Sequence, residues 1–482
     1  MKRLLRGLTF ICAILMLSNT GGMQAAQAAD ASWSVVEGAW AGTLDARGTK
    51  LRIVFRVAKD ADGSWKTLMD SPDQGVKDIA VSETIVKGDS LIFKSAAVRG
   101  TYDGLIQPDG KTALGTWKQG GVSFPLTLSK TDQVPTINRP QEPKPPFPYK
   151  QEEVVFKNEK AGIVLSGTLT LPERGGPFAA VAMISGSGPQ DRDELLLGHK
   201  PFLVIADYLT RRGVAVLRYD DRGVGKSTGD FAKATSVDFA SDALAAVTFL
   251  KSREDVNSKR IGLAGHSEGA IIAPMVANQS GDVAFVILLA GPGMNGEELL
   301  YLQAARIQQA MGVDEKTIAG SEATQRKIFG VLNSEKDDTV AAKKLREILN
   351  EAAEETKADE KAEAGSVEAA IDMQIKQVLN PWFRYFIAYD PVVELNRLHH
   401  PVLALWGEKD LQVPPKENMP LVEQALKKAG NEKAILKVLP GLNHLFQTAN
   451  TGSVSEYAQI EETFSPAALT VIGDWIAERT AK

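Results

Sequence analysis

Ile261-Gly262-Leu263-Ala264-Gly265-His266-Ser267-Glu268-Gly269-Ala270-Ile271-Ile272-Ala273-Pro274 is the stretch on which the fold turns. A short apolar strand runs from Ile261 to Ala264, and an apolar helix starts at about Glu268 and continues to Ala277. Between them Gly-x-Ser-x-Gly occupies residues 265 to 269. That is the spacing of a strained strand-to-helix elbow, which pushes a serine hydroxyl out at the carboxyl end of a sheet. Glycine suits both sides because the turn is crowded, so a side chain at 265 or 269 would collide with neighbouring strand or helix. The pattern makes Ser267 a candidate nucleophile. Gly-x-Ser-x-Gly alone recurs by chance; its place between strand and helix gives it weight.

Moving outward, the same rhythm repeats. Strands are expected at Glu152 to Phe156, Ile163 to Leu171, Ala179 to Ile184, Val214 to Leu217 and Val283 to Leu289, with helices at Phe202 to Arg211 and Val237 to Leu250. The alternation resumes with a strand at Val402 to Trp406, a helix near Asn418 to Lys428, a strand at Ala434 to Leu439 and a last helix over Pro466 to Arg479. Apolar strands alternating with amphipathic helices imply an α/β fold, a mostly parallel sheet with helices on both faces. Between about 294 and 390 the alternation stops, and a Lys, Glu and Ala-rich helical stretch, for example Ala341 to Lys361, takes its place. Mixed-sign charges at i,i+4 spacing describe a solvated helix face. The whole insertion is expected to form a helical cap over one end of the sheet.

A serine hydroxyl needs a base to take its proton and a third group to orient that base. Asp410 stands just past the strand ending at Trp406, and His444 just past the strand ending at Leu439. Both should therefore emerge at the same sheet edge as Ser267, in the chain order Ser, Asp, His. Glu408 is the competing acid, closer to the strand end. A tetrahedral intermediate also needs two N–H donors, one from the residue after the nucleophile and one from the loop after an earlier strand. The first is Glu268. The second is expected from Ser185-Gly186-Ser187-Gly188-Pro189, with Ser187 the first choice and Gly188 the second.

Other polar stretches point elsewhere. Asp221-Arg222-Gly223-Val224-Gly225-Lys226-Ser227 ends like a phosphate loop, but Asp220 stands where the leading glycine should fall and would repel a phosphate. Arg192, Asp193 and Glu194, with Asp220, Asp221 and Arg222, are expected to form ion pairs that brace the loops. His266 reads as a packing residue, and His399 and His400 as structural. The five histidines show no metal-ligand spacing, so no metal or other cofactor is expected. The formal net charge of −5 offers no basic surface for nucleic acid.

Ahead of the α/β part, residues 29–133 carry short alternating segments punctuated by turns, such as Leu51 to Val57, Leu91-Ile92-Phe93 and Gly115-Thr116-Trp117. A small all-β, barrel-like domain fits. Trp40, Phe55, Tyr102 and Trp117 would form its core or line a ligand-holding lumen. Six prolines between residues 134 and 149 mark an extended, semi-rigid spacer and the boundary to a catalytic domain over 150–482. Residues 1–28 pair Lys2, Arg3 and Arg6 with an apolar run from Leu8 to Leu17 and end in Ala26-Gln27-Ala28. This predicts a signal peptide and a secreted or periplasmic protein with no stable membrane span once cleaved; an uncleaved anchor is the alternative. Cleavage would remove Cys12, the single cysteine, and with it all thiol chemistry.

With these residues assembled, the chain from about Pro148 onward resembles serine hydrolases of the α/β-hydrolase superfamily. More narrowly it resembles the secreted bacterial carboxylesterases of the EstD type, which carry an N-terminal β-rich domain. The likeness extends to residues 185–193, to Pro381-Trp382-Phe383-Arg384-Tyr385-Phe386, and to Gly407-Glu408-Lys409-Asp410-Leu411-Gln412-Val413-Pro414. The loop Met69-Asp70-Ser71-Pro72-Asp73-Gln74-Gly75 also looks like the family's front domain. The resemblance implies hydrolysis of a small-molecule ester of short acyl chain without a cofactor, with Ser267 as nucleophile, His444 as base and Asp410 as its orienting acid. One departure is Ser185-Gly186 where the superfamily usually has His-Gly before the oxyanion donor. Two other readings stay open: an amide hydrolase using the same residues, and an envelope-ligand binding protein whose hydrolase fold is idle.

Overall fold

The computed structural model describes residues 36–46, 49–60, 62–74, 76–119, 122–134, 138–357 and 364–481. The expected signal segment, 1–28, lies outside them. Among the described residues no helix is long and apolar enough to cross a membrane.

The first part is a nine-stranded antiparallel sheet in the order β4-β3-β2-β1-β9-β8-β7-β6-β5, built from β1 (Gly38–Ala46), β2 (Thr49–Lys59), β4 (Val76–Ala80), β6 (Ser90–Ser95), β7 (Gly100–Ile106), β8 (Thr112–Gln119) and β9 (Val122–Thr131), with β3 and β5 between them in sequence. It curls into a half-barrel. β5 (Glu83–Lys87) meets β3 (Trp65–Ser71), where the Thr84 hydroxyl donates to Thr67 Oγ1 at 2.8 Å. Alternating residues turn inward, as a period of two requires. Trp40, Phe55, Phe93, Tyr102 and Trp117 fill the concave side at 0–1% exposure, with the Phe55 and Phe93 rings 4.4 Å apart. A methyl at Gly100 would lie 2.1 Å from the Trp117 ring, so that glycine is what lets the indole lie flat on the sheet. The aromatics are therefore core, not the wall of a lumen.

The second part is an eight-stranded sheet in the order β10-β11-β13-β12-β14-β15-β16-β17. β10 (Tyr149–Asn158), β11 (Ile163–Pro172) and β13 (Val214–Tyr219) pair antiparallel. From β13 onward the sheet is parallel through β12 (Phe178–Ile184), β14 (Val256–His266), β15 (Phe285–Leu289), β16 (Val402–Gly407) and β17 (Ile435–Leu439). The central strands are buried along nearly their whole length because helices cover both faces. On one face lie α2 (Ser236–Lys251) and α3 (Gly269–Gln279), and on the other α1 (Pro201–Arg211) and the C-terminal helix Pro466–Thr480.

The insertion is helical, as expected: α4 (Gly296–Ala310), α5 (Glu315–Ser334), α6 (Asp338–Lys357), α7 (Ala364–Val378) and α8 (Pro381–Ala388). It has its own core, including Tyr301, Phe329, Leu345 and Phe383.

The proline-rich segment is not a free spacer. Arg139 lies against the second part and donates to the carbonyls of Ile460 at 2.6 Å, Ala458 at 2.9 Å, Leu197 at 3.1 Å and Gly198 at 3.2 Å. Gln141 pairs in both directions with the Phe464 main chain and also receives the Thr463 N–H. The segment is not simply extended: it turns at 139–142, where the Glu142 N–H donates to the Arg139 carbonyl at 3.1 Å, and the side chains on either side of Pro140 fasten it.

Candidate active site

Ser267 sits at the tip of the turn from β14 to α3 with φ of +53°, a conformation rarely adopted by residues other than glycine and costing roughly 1–3 kcal/mol. Its amide N–H donates to the Leu289 carbonyl at 2.8 Å, which ties the elbow to β15. Both flanking glycines are required. A methyl at Gly265 would lie 2.0 Å from the Gly269 carbonyl oxygen, and one at Gly269 would lie 2.2 Å from the Ile184 carbonyl oxygen.

Asp410 and His444 come from the loops after β16 and β17. The Lys409 N–H donates to the Leu442 carbonyl at 2.8 Å, so the two loops are bonded to each other. His444 Nδ1 lies 2.8 Å from Asp410 Oδ2, and both side chains are buried. Asp410 Oδ1 accepts from the N–H groups of Gln412 and Val413, both at 2.8 Å, so the buried carboxylate is satisfied from two sides. Glu408 does not reach the imidazole. It accepts from the Gly441 N–H at 2.8 Å and is exposed. Among the described residues no direct hydrogen bond joins the Ser267 hydroxyl to His444. In unliganded sites such contacts are commonly long and tighten with substrate.

His266 is more than packing. Its Nδ1 lies 2.9 Å from Glu194 Oε1, and its Nε2 lies 3.0 Å from the His444 carbonyl. Burial alone would favour the neutral ring, but the charge of Glu194 and its hydrogen bond win and raise the imidazole pKa. Glu194 also accepts the Gly186 N–H at 2.7 Å. One carboxylate thus fixes the loop after β12, the residue before Ser267 and, through it, the backbone at His444. Because Gly186 is committed to Glu194, the next N–H groups along, Ser187 and Gly188, are the ones with no protein acceptor among the described residues.

Glu268, directly after Ser267, is the N-cap of α3 and already has helical φ and ψ. Its N–H lies at the positive end of that helix, where negative charge is favoured. Its own side chain is buried. Burial pushes the carboxyl up to about 7, while the Ser236 hydroxyl at 2.6 Å and the Trp382 indole N–H at 2.7 Å hold it down.

The expected bracing pairs form in part. Arg192 clasps Asp220 and Glu153, Arg218 meets Asp193, and Arg222 turns to Asp242 at 2.7 Å, away from Asp220 and Asp221. Asp221 receives the Ser185 hydroxyl and the Gln190 N–H, both at 2.9 Å, and so shapes the loop after β12. A methyl at Gly225 would lie 2.6 Å from Asp220 Oδ2, so the protein's own carboxylate fills the concavity of the phosphate-loop-like stretch. His399 and His400 lie at the amino end of β16, away from the site.

Comparison with known proteins fits this picture. Residues 201–448, just over half of the chain, match the family model described as serine aminopeptidase, S33. Esterase EstD of Thermotoga maritima is 26% identical over 349 residues, covering 71% of this chain and 74% of that one. Among solved structures, the α/β hydrolase GrgF from Penicillium sp. sh18 covers 69% of this chain and 100% of its own at 17% identity, with a TM-score of 0.41. Est1E from Butyrivibrio proteoclasticus covers 68% and 99% at 16% identity, with a TM-score of 0.39. The idle-fold reading falls with the family match, since the chain is an enzyme of the serine-hydrolase type. With an α/β-hydrolase fold, a helical insertion and an N-terminal β-domain, the chain belongs to the family described as serine aminopeptidase, S33.

Proposed function

We propose that this enzyme is a serine carboxylesterase that hydrolyses short-chain carboxylic esters through an acyl-enzyme. The observation that carries the reading is the buried Asp410–His444 hydrogen bond beside the strained Ser267 elbow. Asp410 holds His444 with its Nδ1 hydrogen directed at the carboxylate, which leaves Nε2 as the basic nitrogen. That nitrogen takes the Ser267 proton as Oγ attacks the ester carbonyl. The N–H groups of Ser187 and Glu268 receive the negative oxygen of the tetrahedral intermediate, a donor pair worth about 3 kcal/mol for each member. The imidazolium then protonates the departing alcohol. Water, deprotonated by the same nitrogen, releases the acid and restores the serine. No metal or organic cofactor has a place in this sequence of steps.

The ester preference draws on the similarity to a Thermotoga esterase. The family description favours a second reading, amide hydrolysis by the same residues. Comparing p-nitrophenyl butyrate with aminoacyl naphthylamides decides between them. The basic, apolar and small-residue segments of 1–28 support export to the periplasm or medium. Ser267→Ala should lower p-nitrophenyl ester hydrolysis by about four to six orders of magnitude, as nucleophile deletion does in serine hydrolases. Full activity in that variant would sink the proposal.

A further inference from the structure

The side chain of Glu268 joins three parts of the molecule at one point. Its Oε1 accepts from Ser236, the first residue of α2, at 2.6 Å and from the indole of Trp382 at 2.7 Å. Trp382 belongs to α8, the last helix of the cap. The other connections of α8 run to the body and to the cap itself. The Gly296 N–H donates to the Tyr389 carbonyl at 3.0 Å, and a methyl at Gly296 would lie 1.9 Å from the Phe386 carbonyl oxygen, so α4 and α8 touch backbone to backbone. Trp382 stacks on Phe386 at 5.2 Å, which fixes the indole plane. The same Glu268 whose carboxylate meets the cap carries the main-chain N–H assigned above to the oxyanion.

A buried carboxyl cannot leave its donors without leaving buried polar groups without hydrogen bonds, so its position is strongly constrained. With the side chain held at its far end by Ser236 and Trp382, the peptide between Ser267 and Glu268 has little freedom to rotate. Preorganised donors act because they need no reorientation during the reaction, and small misplacements are costly. We propose that Trp382 and Glu268 form a positioning pair through which the helical cap sets the orientation of the oxyanion-donating peptide after Ser267. The inference rests on the serine-esterase reading and gives the cap a positioning role in catalysis.

Trp382→Phe removes the N–H and keeps an aromatic ring, so it tests the bond with little disturbance to packing. Its kcat on p-nitrophenyl butyrate should fall about tenfold with KM within about twofold, since only an interaction made in the transition state is weakened. The inhibition constant of an alkyl trifluoromethyl ketone, whose adduct places an oxyanion at the same donors, should rise in parallel by about tenfold. Glu268→Ala should lose at least as much, and Glu268→Gln, which keeps an oxygen for both donors, should lose less than either. A Trp382→Phe enzyme with unchanged kcat and unchanged ketone affinity would overturn the pair, as would a change confined to KM. Ser267→Ala separates the two levels of the argument. If it stays active, the esterase reading itself fails; if it is inactive while Trp382→Phe is normal, only the positioning pair fails.

Discussion

His266 and His444 are both buried, both bonded to a carboxylate through Nδ1, and only 4.9 Å apart between ring centres. They differ at the other nitrogen. His266 Nε2 faces the His444 carbonyl, so the ring meets two acceptors, and both nitrogens must carry hydrogen. His444 has Asp410 at one nitrogen and no protein partner at the other among the described residues. A ring with both edges used is a strut, whereas a ring with one edge held and one free can move a proton. The contrast comes from placement in the fold. Glu194 reaches back from the loop after β12 to the start of the elbow, while Asp410 and His444 stand side by side on adjacent loops.

The sharpest way to break the comparison is to change the acid on the reactive side. Asp410→Asn keeps the shape but favours the wrong tautomer of His444, and kcat should fall about 10⁴-fold with little change in KM. Circular dichroism and thermal unfolding would show that the fold survives. An Asp410→Asn enzyme within tenfold of the parent would mean that the imidazole is oriented by something else.

Changing the acid on the structural side should read differently. Glu194→Gln leaves His266 buried without its counter-charge and should cost about 2 kcal/mol of stability, with a loss of activity of about ten- to a hundredfold as the loop after β12 loosens. The sign with pH follows from the raised pKa of His266. A raised folded pKa gives stability that is fully present below the ordinary imidazole value of 6.5 and is lost as the pH rises through the higher folded value. The difference in Tm between parent and Glu194→Gln should therefore be widest at acid pH and shrink in the alkaline range. A difference that grew with pH would show that His266 is neutral in the fold.

Much of this molecule was legible from residue order. The strand ends alone placed Ser267, Asp410 and His444 at one edge, because a parallel sheet delivers every strand's carboxyl end to the same side. The inserted cap was visible as a loss of alternation. What stayed hidden were polar contacts between residues with no common period: Glu194 with His266, 72 positions apart, and Glu268 with Trp382, 114 apart. His266 read as packing because a sequence shows the strand it sits on but not the carboxylate that folds back to it. The proline-rich segment taught the same lesson. Its composition marks a boundary, but nothing local marks Arg139 as the partner of carbonyls 58 and 319 residues further along the chain.

The smallest expected effect tests the choice between the two acids that sequence left open. Glu408 and Asp410 lie two residues apart on one loop, and either carboxylate at a strand end can orient an imidazole. The loop resolves the choice by direction. Asp410 turns inward, where two N–H groups and His444 surround it, while Glu408 turns to solvent and holds only the Gly441 N–H. An exposed carboxylate accepting one main-chain bond contributes well under 1 kcal/mol, and a glutamine oxygen can accept the same bond. Glu408→Gln should therefore keep kcat within about twofold and shift stability by about 0.5 kcal/mol at most. A fall in kcat approaching that of Asp410→Asn would give Glu408 a share in orienting His444, and the distinction between a carboxylate inside the site and one beside it would no longer hold.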